Sequence, residues 1–284
     1  MFSIIITVVY CILYILNPLK VFNVQKEKAS HMSWNEFAKS TSDIPGNWAD
    51  KIFINNFLKD IGLTGPDTIL MTYGPDCSSE LKPVISHLKS YCVKMSNLCE
   101  SIGVFIVVDG ILQENVKLVK EVVYHGPRKR GQKLSVDQLI NGVEALERSF
   151  KDMTLSTRRK VCRTPFKLLP APVGVVVERV YPPHELIKVY VIYGELSVIY
   201  NNHPKFTIPQ KSKFNKMLKS RRMHEIRQMC CEFASHVKVD IFRIDFMVPD
   251  DIDVDIRINE ITLDPTANFH FGMGPYIHLK QFLK

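Results

Sequence analysis

Two short segments near the carboxyl end decide the fold, Arg243-Ile244-Asp245-Phe246 and Ile258-Asn259-Glu260-Ile261-Thr262. Polar and apolar residues alternate in both segments, which is typical of β-strands with one polar and one apolar face. If the two strands pair as a hairpin, the side chains of Asp245, Glu260 and Thr262 converge. Because Mg²⁺ takes hard oxygen ligands and often shares them with nucleotide phosphates, this pattern indicates a magnesium site.

The same hairpin carries a cationic side chain. The hairpin as a whole also has a simpler interpretation. Arg243 lies on the face of Asp245, where its charge would stabilise a phosphoryl group in transfer. The simpler interpretation is a half-solvated hairpin with exposed acids. The Asp-rich connection does not form a calcium loop, since counting from Asp251 puts Ile256 where a glycine is required. We expect Asp245 and Glu260 to lie outside the apolar core, so that their substitution affects metal binding more than stability.

Outward from this hairpin, the chain alternates between helical patterns and short strands. Helices are predicted from residue 50 to about 58, over 78–89, over 136–150 and within 214–236. Strands are predicted at 69–73, 91–94, 104–108 and 173–180, and a hairpin over 186–199 turns at Tyr193-Gly194-Glu195. Helices mixed with antiparallel hairpins indicate an α+β fold.

A loop from Lys94 to Val104 follows the strand at 91–94. It places a lysine at the strand edge and small residues, Ser96, Ser101 and Gly103, before the next strand. Backbone N–H groups and a lysine in such a loop would face phosphates, although the loop is not a Walker A motif. Taken alone, an ordinary hairpin loop is the better interpretation.

A third feature lies where the apolar strand at 173–180 ends in a polar linker. Glu178, Arg179 and Val180 stand at that end, and Glu185 follows seven residues after Glu178. The backbone there would face an adenine edge, and the Glu185 carboxylate would hold ribose hydroxyls. A simply solvated glutamate is the alternative.

The order of these three features resembles the ATP-grasp superfamily from about Asp50 to the carboxyl end. Asp50-Lys51 looks like the family's Asp-Lys pair, and the loop at 94–104 looks like the Lys-Pro-Ser…Ser-x-Gly loop of the D-alanine–D-alanine ligase branch. The resemblance implies two α+β lobes clasping the nucleotide, preceded here by an apolar amino-terminal segment. It implies ATP and Mg²⁺ as cofactors, with Mn²⁺ as a possible substitute.

The resemblance also implies a set of site residues. The catalytic residues would be Arg243 and Lys94, and the metal would be held by Asp245, Glu260 and Thr262. The nucleotide would be bound by Lys51, Lys94, Ser96, Ser101, Gly103, Glu178, Arg179, Val180, Glu185 and Lys188. Thr262 stands where many members have asparagine. With the Glu185–Tyr190 segment, it looks closest to the TupA-like branch of teichuronopeptide biosynthesis, where Glu-x-Thr is usual.

Three departures from the family pattern bear on activity. Met95 replaces a proline, Cys99 replaces a frequent glycine, and Asp264-Pro265-Thr266-Ala267 replaces a Pro-Gly-Gly stretch. The implied reaction is ligation, in which a carboxylate attacks the γ-phosphate and an amine then displaces phosphate from the acylphosphate. The implied partners are ATP and a small-molecule or glycan-linked acceptor. The alternatives are an ATP-grasp kinase of the inositol-phosphate type and a non-catalytic, membrane-anchored nucleotide-binding protein.

Composition favours anionic partners without choosing among them. Lys and Arg number 37 against 29 Asp and Glu, which gives a net charge of +8 and a pI near 9.0. The basic clusters at 128–130, 158–163 and 219–222 are predicted to be solvated, and no aromatic residues alternate through them as a nucleic-acid platform requires. Nucleic acid is therefore an improbable partner. The seven cysteines include no CxxC pair, and no G-x-S-x-G motif indicates a serine hydrolase.

The amino terminus is apolar from Phe2 to Leu16, and lysines follow at 20, 26 and 28. This pattern predicts a membrane anchor or signal-like segment over 1–19, with the catalytic part in the cytoplasm and a secretory-pathway lumen as the alternative. The predicted organisation continues with a linker over 20–49. Residues 50–180 would form the amino-terminal part and small lobe, and 181–284 the large lobe with the metal site.

Overall fold

The computed structural model describes residues 50–74, 76–98, 101–120, 122–162, 172–192, 195–201, 221–237 and 241–262. They form two compact units that divide between Pro183 and His184. Both units combine helices with antiparallel sheets, which confirms the predicted α+β class. The predicted apolar segment and linker lie outside the described residues.

The first unit contains a five-stranded antiparallel sheet and four helices among its described residues. Its strands are β1 (Thr68–Tyr73), β2 (Ser90–Met95), β3 (Val104–Val108), β4 (Ile111–Leu112) and β5 (Gly174–Glu178). Its helices are α1 (Lys51–Asp60), α2 (Cys77–Ile85), α3 (Val136–Asp152) and α4 (Leu155–Cys162). The sheet order is β1-β5-β2-β3-β4, so β5 lies between the first two strands of the chain.

Local sequence explains where the helices of this unit begin. The carboxylate of Asp50 accepts a hydrogen bond of 3.0 Å from the backbone N–H of Ile52, which caps α1. Ser135 and Gln138 form a reciprocal capping box at the start of α3. The apolar faces of α2 and α3 then pack on the sheet, around Phe105 of β3.

The second unit is a four-stranded antiparallel sheet with one described helix. Its strands are β6 (His184–Ile192), β7 (Glu195–Asn201), β8 (Ile241–Pro249) and β9 (Arg257–Thr262), and its helix is α5 (Arg221–Val237). The order is β7-β6-β8-β9. The α5 helix packs on the apolar face of the sheet, where the rings of Phe233 and Phe242 lie 5.0 Å apart.

The hairpin of β8 and β9 contains a bulge that breaks the predicted alternation. Asp245 lies opposite Glu260, but Phe246 lies opposite Ile258, so Asn259 is an extra residue in β9. The bulge keeps both Ile258 and Ile261 on the apolar face of the sheet and leaves Glu260 on the polar face. An extra residue of this kind is common beside functional sites because it redirects a side chain.

The connection between β8 and β9 is held to α5 by a buried arginine. Arg222 donates hydrogen bonds to the carbonyl oxygens of Asp251 (2.6 Å) and Val254 (2.7 Å). The basic cluster at 219–222 was predicted to be solvated. This prediction is wrong for Arg222, which is buried, although its neighbour Arg221 is exposed. The two carbonyl contacts explain the burial, because they satisfy the guanidinium away from water.

The membrane-anchored location predicted from the sequence is corrected by the structure. No helix in the described part of the chain is both long and apolar enough to cross a membrane. The longest of these helices, α3 and α5, have 17 residues and carry charged side chains, whereas a span needs about 20 mostly apolar residues. The apolar run at 2–16, on which the prediction rested, lies outside the described residues.

Candidate functional site

The polar face of the second sheet carries six side chains in two rows. Strand pairing places Lys188, Asp245 and Glu260 in one row across β6, β8 and β9. It places Tyr190, Arg243 and Thr262 in the adjacent row. We call these six residues the carboxylate cluster. The structure therefore brings together every predicted residue of the metal site, together with Arg243 and Lys188.

Asp245 is the centre of the carboxylate cluster. Its Oδ1 lies 2.7 Å from Nε of Arg243, and its Oδ2 lies 3.1 Å from Nζ of Lys188. Nη2 of Arg243 also lies 3.8 Å from Oε1 of Glu260. Two cations and two carboxylates thus meet on one face, and their formal charges balance.

Burial distinguishes the two carboxylates. The side chain of Asp245 is 1% exposed and that of Glu260 is 51% exposed. Both were expected to lie outside the apolar core. Asp245 lies on the polar face of the sheet but is nevertheless buried, because ion pairs with Arg243 and Lys188 allow a carboxylate to be buried. Burial raises the pKa of Asp245, an effect that Arg243 and Lys188 oppose. Burial lowers the pKa of Arg243, but Asp245 and Glu260 outweigh it and raise the pKa overall.

The donor set of the carboxylate cluster fits a magnesium ion. Asp245 and Glu260 offer carboxylate oxygens on neighbouring strands, and Thr262 offers a hydroxyl in the next row. Within the described ranges, no group of three or more His, Cys, Asp or Glu side chains is placed to hold a metal. Mg²⁺ commonly binds through one or two carboxylates and completes its shell with phosphate oxygens and water. Two carboxylates on one face match this mode of Mg²⁺ coordination.

Tyr190 belongs to the carboxylate cluster but was not predicted from the sequence. It is buried, lies opposite Arg243, and forms a side-chain hydrogen bond with that arginine. The signal was present in the alternation of Lys188-Val189-Tyr190, which puts Tyr190 on the face of Lys188. Recognising it required the β6–β8 pairing, which the sequence does not contain.

In the first unit, Lys94 and Glu178 form a buried ion pair. Nζ of Lys94 lies 2.7 Å from Oε2 of Glu178, and the two side chains are 14% and 6% exposed. The strands β2 and β5 that carry them are neighbours in the sheet. Both residues were predicted to bind nucleotide, and the structure brings them into direct contact.

The turn after β2 is buried and is held by main-chain contacts. The N–H of Ser96 donates to the carbonyl of Gly174 (2.8 Å), and the Ser96 hydroxyl donates to the carbonyl of Pro172 (3.3 Å). Nζ of Lys51 donates to the carbonyl oxygens of Met95 (3.1 Å) and Leu98. The predicted phosphate-binding residues Lys51 and Ser96 thus contact this turn.

The remaining predicted residues are more scattered. Arg179 is exposed and pairs with Asp67 at 3.5 Å, and Val180 is half-buried. Glu185 and Lys188 are three residues apart on β6, so strand alternation puts them on opposite faces. Ser101 is exposed with a φ of 62°. Cys99 and the Asp264–Ala267 stretch lie outside the described residues.

Gly103 has a backbone conformation and a packing environment that only glycine fits. Its φ is +66°, and a Cβ atom would lie 2.8 Å from Cγ of Met95 and 3.1 Å from Leu146 and Leu98.

We expect Gly103→Ala to lower the free energy of unfolding by about 3 kcal/mol, through backbone strain and overpacking together. Gly62→Ala is the matched control, because its φ is +74° but it faces open space. It should cost only about 1 kcal/mol in the same urea denaturation. Equal losses would show that packing plays no part.

Comparisons with known proteins give similarity to solved structures only. No protein-family model matches the chain, and no curated protein matches it. The chain is similar to D-alanyl-alanine synthetase A from Vibrio cholerae (16% identity, TM-score 0.43) and to D-alanine-D-alanine ligase from Helicobacter pylori (15%, 0.47). It is also similar to the ATP-grasp ligase PsnB in complex with a minimal precursor (16%, 0.41).

These three similarities cover 83 to 84% of this chain but only 57 to 64% of the other proteins. The chain therefore spans less than two thirds of the length of each. The solved structures to which it is similar thus include ligases and a synthetase, one of them named as an ATP-grasp ligase.

Proposed function

We propose that this chain is a Mg-ATP-dependent ligase of the ATP-grasp type, which activates a carboxylate as an acylphosphate for attack by an amine. The carboxylate cluster is the observation that carries the proposal. It combines two carboxylates for a metal with two cations, Arg243 and Lys188, and hard oxygen donors beside fixed cations suit phosphoryl transfer.

Each residue of the carboxylate cluster has a proposed role. Asp245, Glu260 and Thr262 would hold Mg²⁺, or Mn²⁺ in its place, and the metal would supply charge neutralisation at the phosphates. Arg243 would stabilise the phosphoryl group in transfer, since Asp245 fixes its guanidinium through a contact of 2.7 Å. Lys188 would add a further positive charge on the same face.

The first unit has its own candidate residues for nucleotide binding. Lys94 is a catalytic candidate at the end of a buried strand, and its ion pair with Glu178 fixes its position. Ser96, Ser101 and Gly103 would belong to the phosphate-covering loop, as the resemblance implies. Glu178, Arg179 and Val180 of this unit, and Glu185 on β6 of the second unit, are the proposed residues for the adenosine part.

The substrate class rests on the sequence resemblance. The Glu260-Ile261-Thr262 sequence and the Arg243–Phe246 segment favour the TupA-like branch, and with it an acceptor in polysaccharide or peptide-conjugate biosynthesis. We therefore propose a small-molecule or glycan-linked acceptor. The reaction would release ADP and inorganic phosphate and form an amide bond.

Glu260→Gln tests the metal site with little effect on folding. Because the Glu260 side chain is half-exposed, we expect the free energy of unfolding to change by less than about 0.5 kcal/mol. Loss of a carboxylate ligand should weaken Mg²⁺-dependent ATP binding by at least about tenfold in isothermal titration calorimetry. Glu232→Gln, which alters an exposed glutamate on α5, is the matched control and should bind Mg-ATP normally. Normal binding by Glu260→Gln would contradict the metal assignment.

Product analysis separates ligation from the kinase alternative. The chain is incubated with Mg-ATP and panels of carboxylates, amines and alcohols, and phosphate release is measured. Release that requires both a carboxylate and an amine supports the ligase. A phosphorylated alcohol would instead show a kinase, and stabilisation by Mg-ATP without turnover on any panel would favour a non-catalytic nucleotide-binding protein.

A further inference from the structure

We propose that Lys51 is a positioning residue, which holds the turn after β2 in place through the backbone carbonyls of that turn. The turn consists of Met95, Ser96, Asn97 and Leu98, and we call it the 95–98 turn. This inference deepens the proposed function, because the same turn would cover phosphates, and to that extent it rests on it. It assigns Lys51 a different role from the direct phosphate contact that the resemblance implies.

Three hydrogen bonds of Lys51 go to one segment. Its ammonium group donates to the carbonyl oxygens of Met95 (3.1 Å) and Leu98, and its backbone N–H donates to the carbonyl of Ser96 (3.0 Å). Three carbonyl groups of a four-residue turn therefore accept hydrogen bonds from one residue. Lys51 and the turn are more than 40 positions apart in the chain, so these contacts connect α1 to the sheet.

The 95–98 turn depends on such donors because it is buried. Met95, Ser96, Asn97 and Leu98 are each at most 2% exposed. A buried carbonyl without a donor costs free energy, so a cation that serves two of them stabilises this conformation. The side chain of Asn97 does not substitute for Lys51, since neither its Oδ1 nor its Nδ2 has a hydrogen-bond partner in the described part of the chain.

The position of Lys51 is itself fixed by its neighbour. Asp50 caps α1 and is buried, and its carboxylate accepts a hydrogen bond from the hydroxyl of Tyr73 on β1. The first turn of α1 is thereby anchored to the sheet, which aims the Lys51 side chain at the 95–98 turn. An ammonium has three N–H donors, and two of them are directed at carbonyls of the turn. This geometry directs the ammonium of Lys51 at the turn.

Hydrogen exchange without nucleotide distinguishes the two roles. If Lys51 positions the turn, Lys51→Met should raise the exchange rates of the amides of residues 96–98 at least about tenfold in the full chain without ATP. Lys51→Arg, which retains donors and charge, should restore most of the protection. Lys59→Met, which alters an exposed lysine in the last turn of α1, is the matched control and should leave exchange unchanged. The amides of α5 in the second unit serve as an internal reference.

Nucleotide binding supplies the second readout. We expect Lys51→Met to weaken ATP binding at least about tenfold, to leave adenosine binding unchanged, and to be rescued by Lys51→Arg. If the amides of residues 96–98 exchange at the wild-type rate in Lys51→Met, the inference is overturned. If ATP binding is weaker while exchange is unchanged, Lys51 is a direct phosphate ligand. If the wild-type chain binds no Mg-ATP, the proposed function fails, and the exchange experiment still decides the role of Lys51. Should Lys51→Met unfold the first unit, Lys51→Gln replaces it with the same two outcomes.

Discussion

Asp245→Asn is expected to weaken Mg²⁺-dependent ATP binding strongly and to destabilise the protein as well. The substitution removes a carboxylate oxygen from the proposed metal site, so we expect affinity for Mg-ATP to fall by about 100-fold or more. It also leaves Arg243 and Lys188 on a buried face without the charge that both contact at 2.7 and 3.1 Å. Removing one partner of a buried ion pair costs about 3 kcal/mol in free energy of unfolding. Calorimetry and urea denaturation measure the two effects.

A second variant separates binding from stability at this site. Asp245→Asn combined with Lys188→Met removes one negative and one positive charge, and we expect it to recover part of the lost stability because fewer buried charges remain unpaired. It should not recover Mg-ATP binding. If Asp245→Asn loses stability but binds Mg-ATP normally, Asp245 has only a structural role and the magnesium site lies elsewhere.

Lys94→Met is expected to have the second large effect. The substitution removes the ammonium that lies 2.7 Å from the carboxylate of Glu178, whose side chain is only 6% exposed. No other described cation lies within ion-pair distance of Glu178. We therefore expect a loss of about 3 to 5 kcal/mol in free energy of unfolding, measured by urea denaturation. Because Lys94 is also a proposed phosphate contact, ATP binding should fall as well.

The double variant Lys94→Met with Glu178→Leu tests this account. Replacing both partners of a buried ion pair by apolar residues is often neutral for stability, so the double variant should be within about 1 kcal/mol of the wild type. Its ATP binding should stay weak. Lys82→Met is the matched control, because Lys82 and Asp137 form an exposed pair, and it should change stability by less than about 1 kcal/mol. An equal loss in the single and double variants would show that Lys94 stabilises through packing and not through charge.

Local patterns predicted most of the secondary structure. The helix from Asp50 is present because Asp50 caps it, and the helix at 136–150 is present because Ser135 and Gln138 form a capping box. The strand predicted at 173–180 is observed as β5 over Gly174–Glu178. These signals act within a few residues, so a single sequence contains them in full.

The candidate site was only partly predictable. Alternation in β8 and β9 and the family resemblance gave four candidates, Arg243, Asp245, Glu260 and Thr262, and the structure places them on one face of the sheet. Tyr190 was missed because its relation to Arg243 depends on the pairing of β6 with β8, more than 50 residues later in the chain. The resemblance implied a phosphate contact for Lys51, but the ammonium lies on the carbonyls of Met95 and Leu98, which no local pattern indicates.

The sequence by itself determined the α+β elements and placed two carboxylates on strands near the carboxyl end, because side-chain periodicity and helix caps are local properties. Only the tertiary structure decided how those side chains are used. The bulge at Asn259 selects which face of the sheet receives Glu260, and the pairing of β6 with β8 buries Asp245 between two cations. Register and burial depend on contacts between residues far apart in the chain, and these contacts set the charge and exposure on which the proposed chemistry depends.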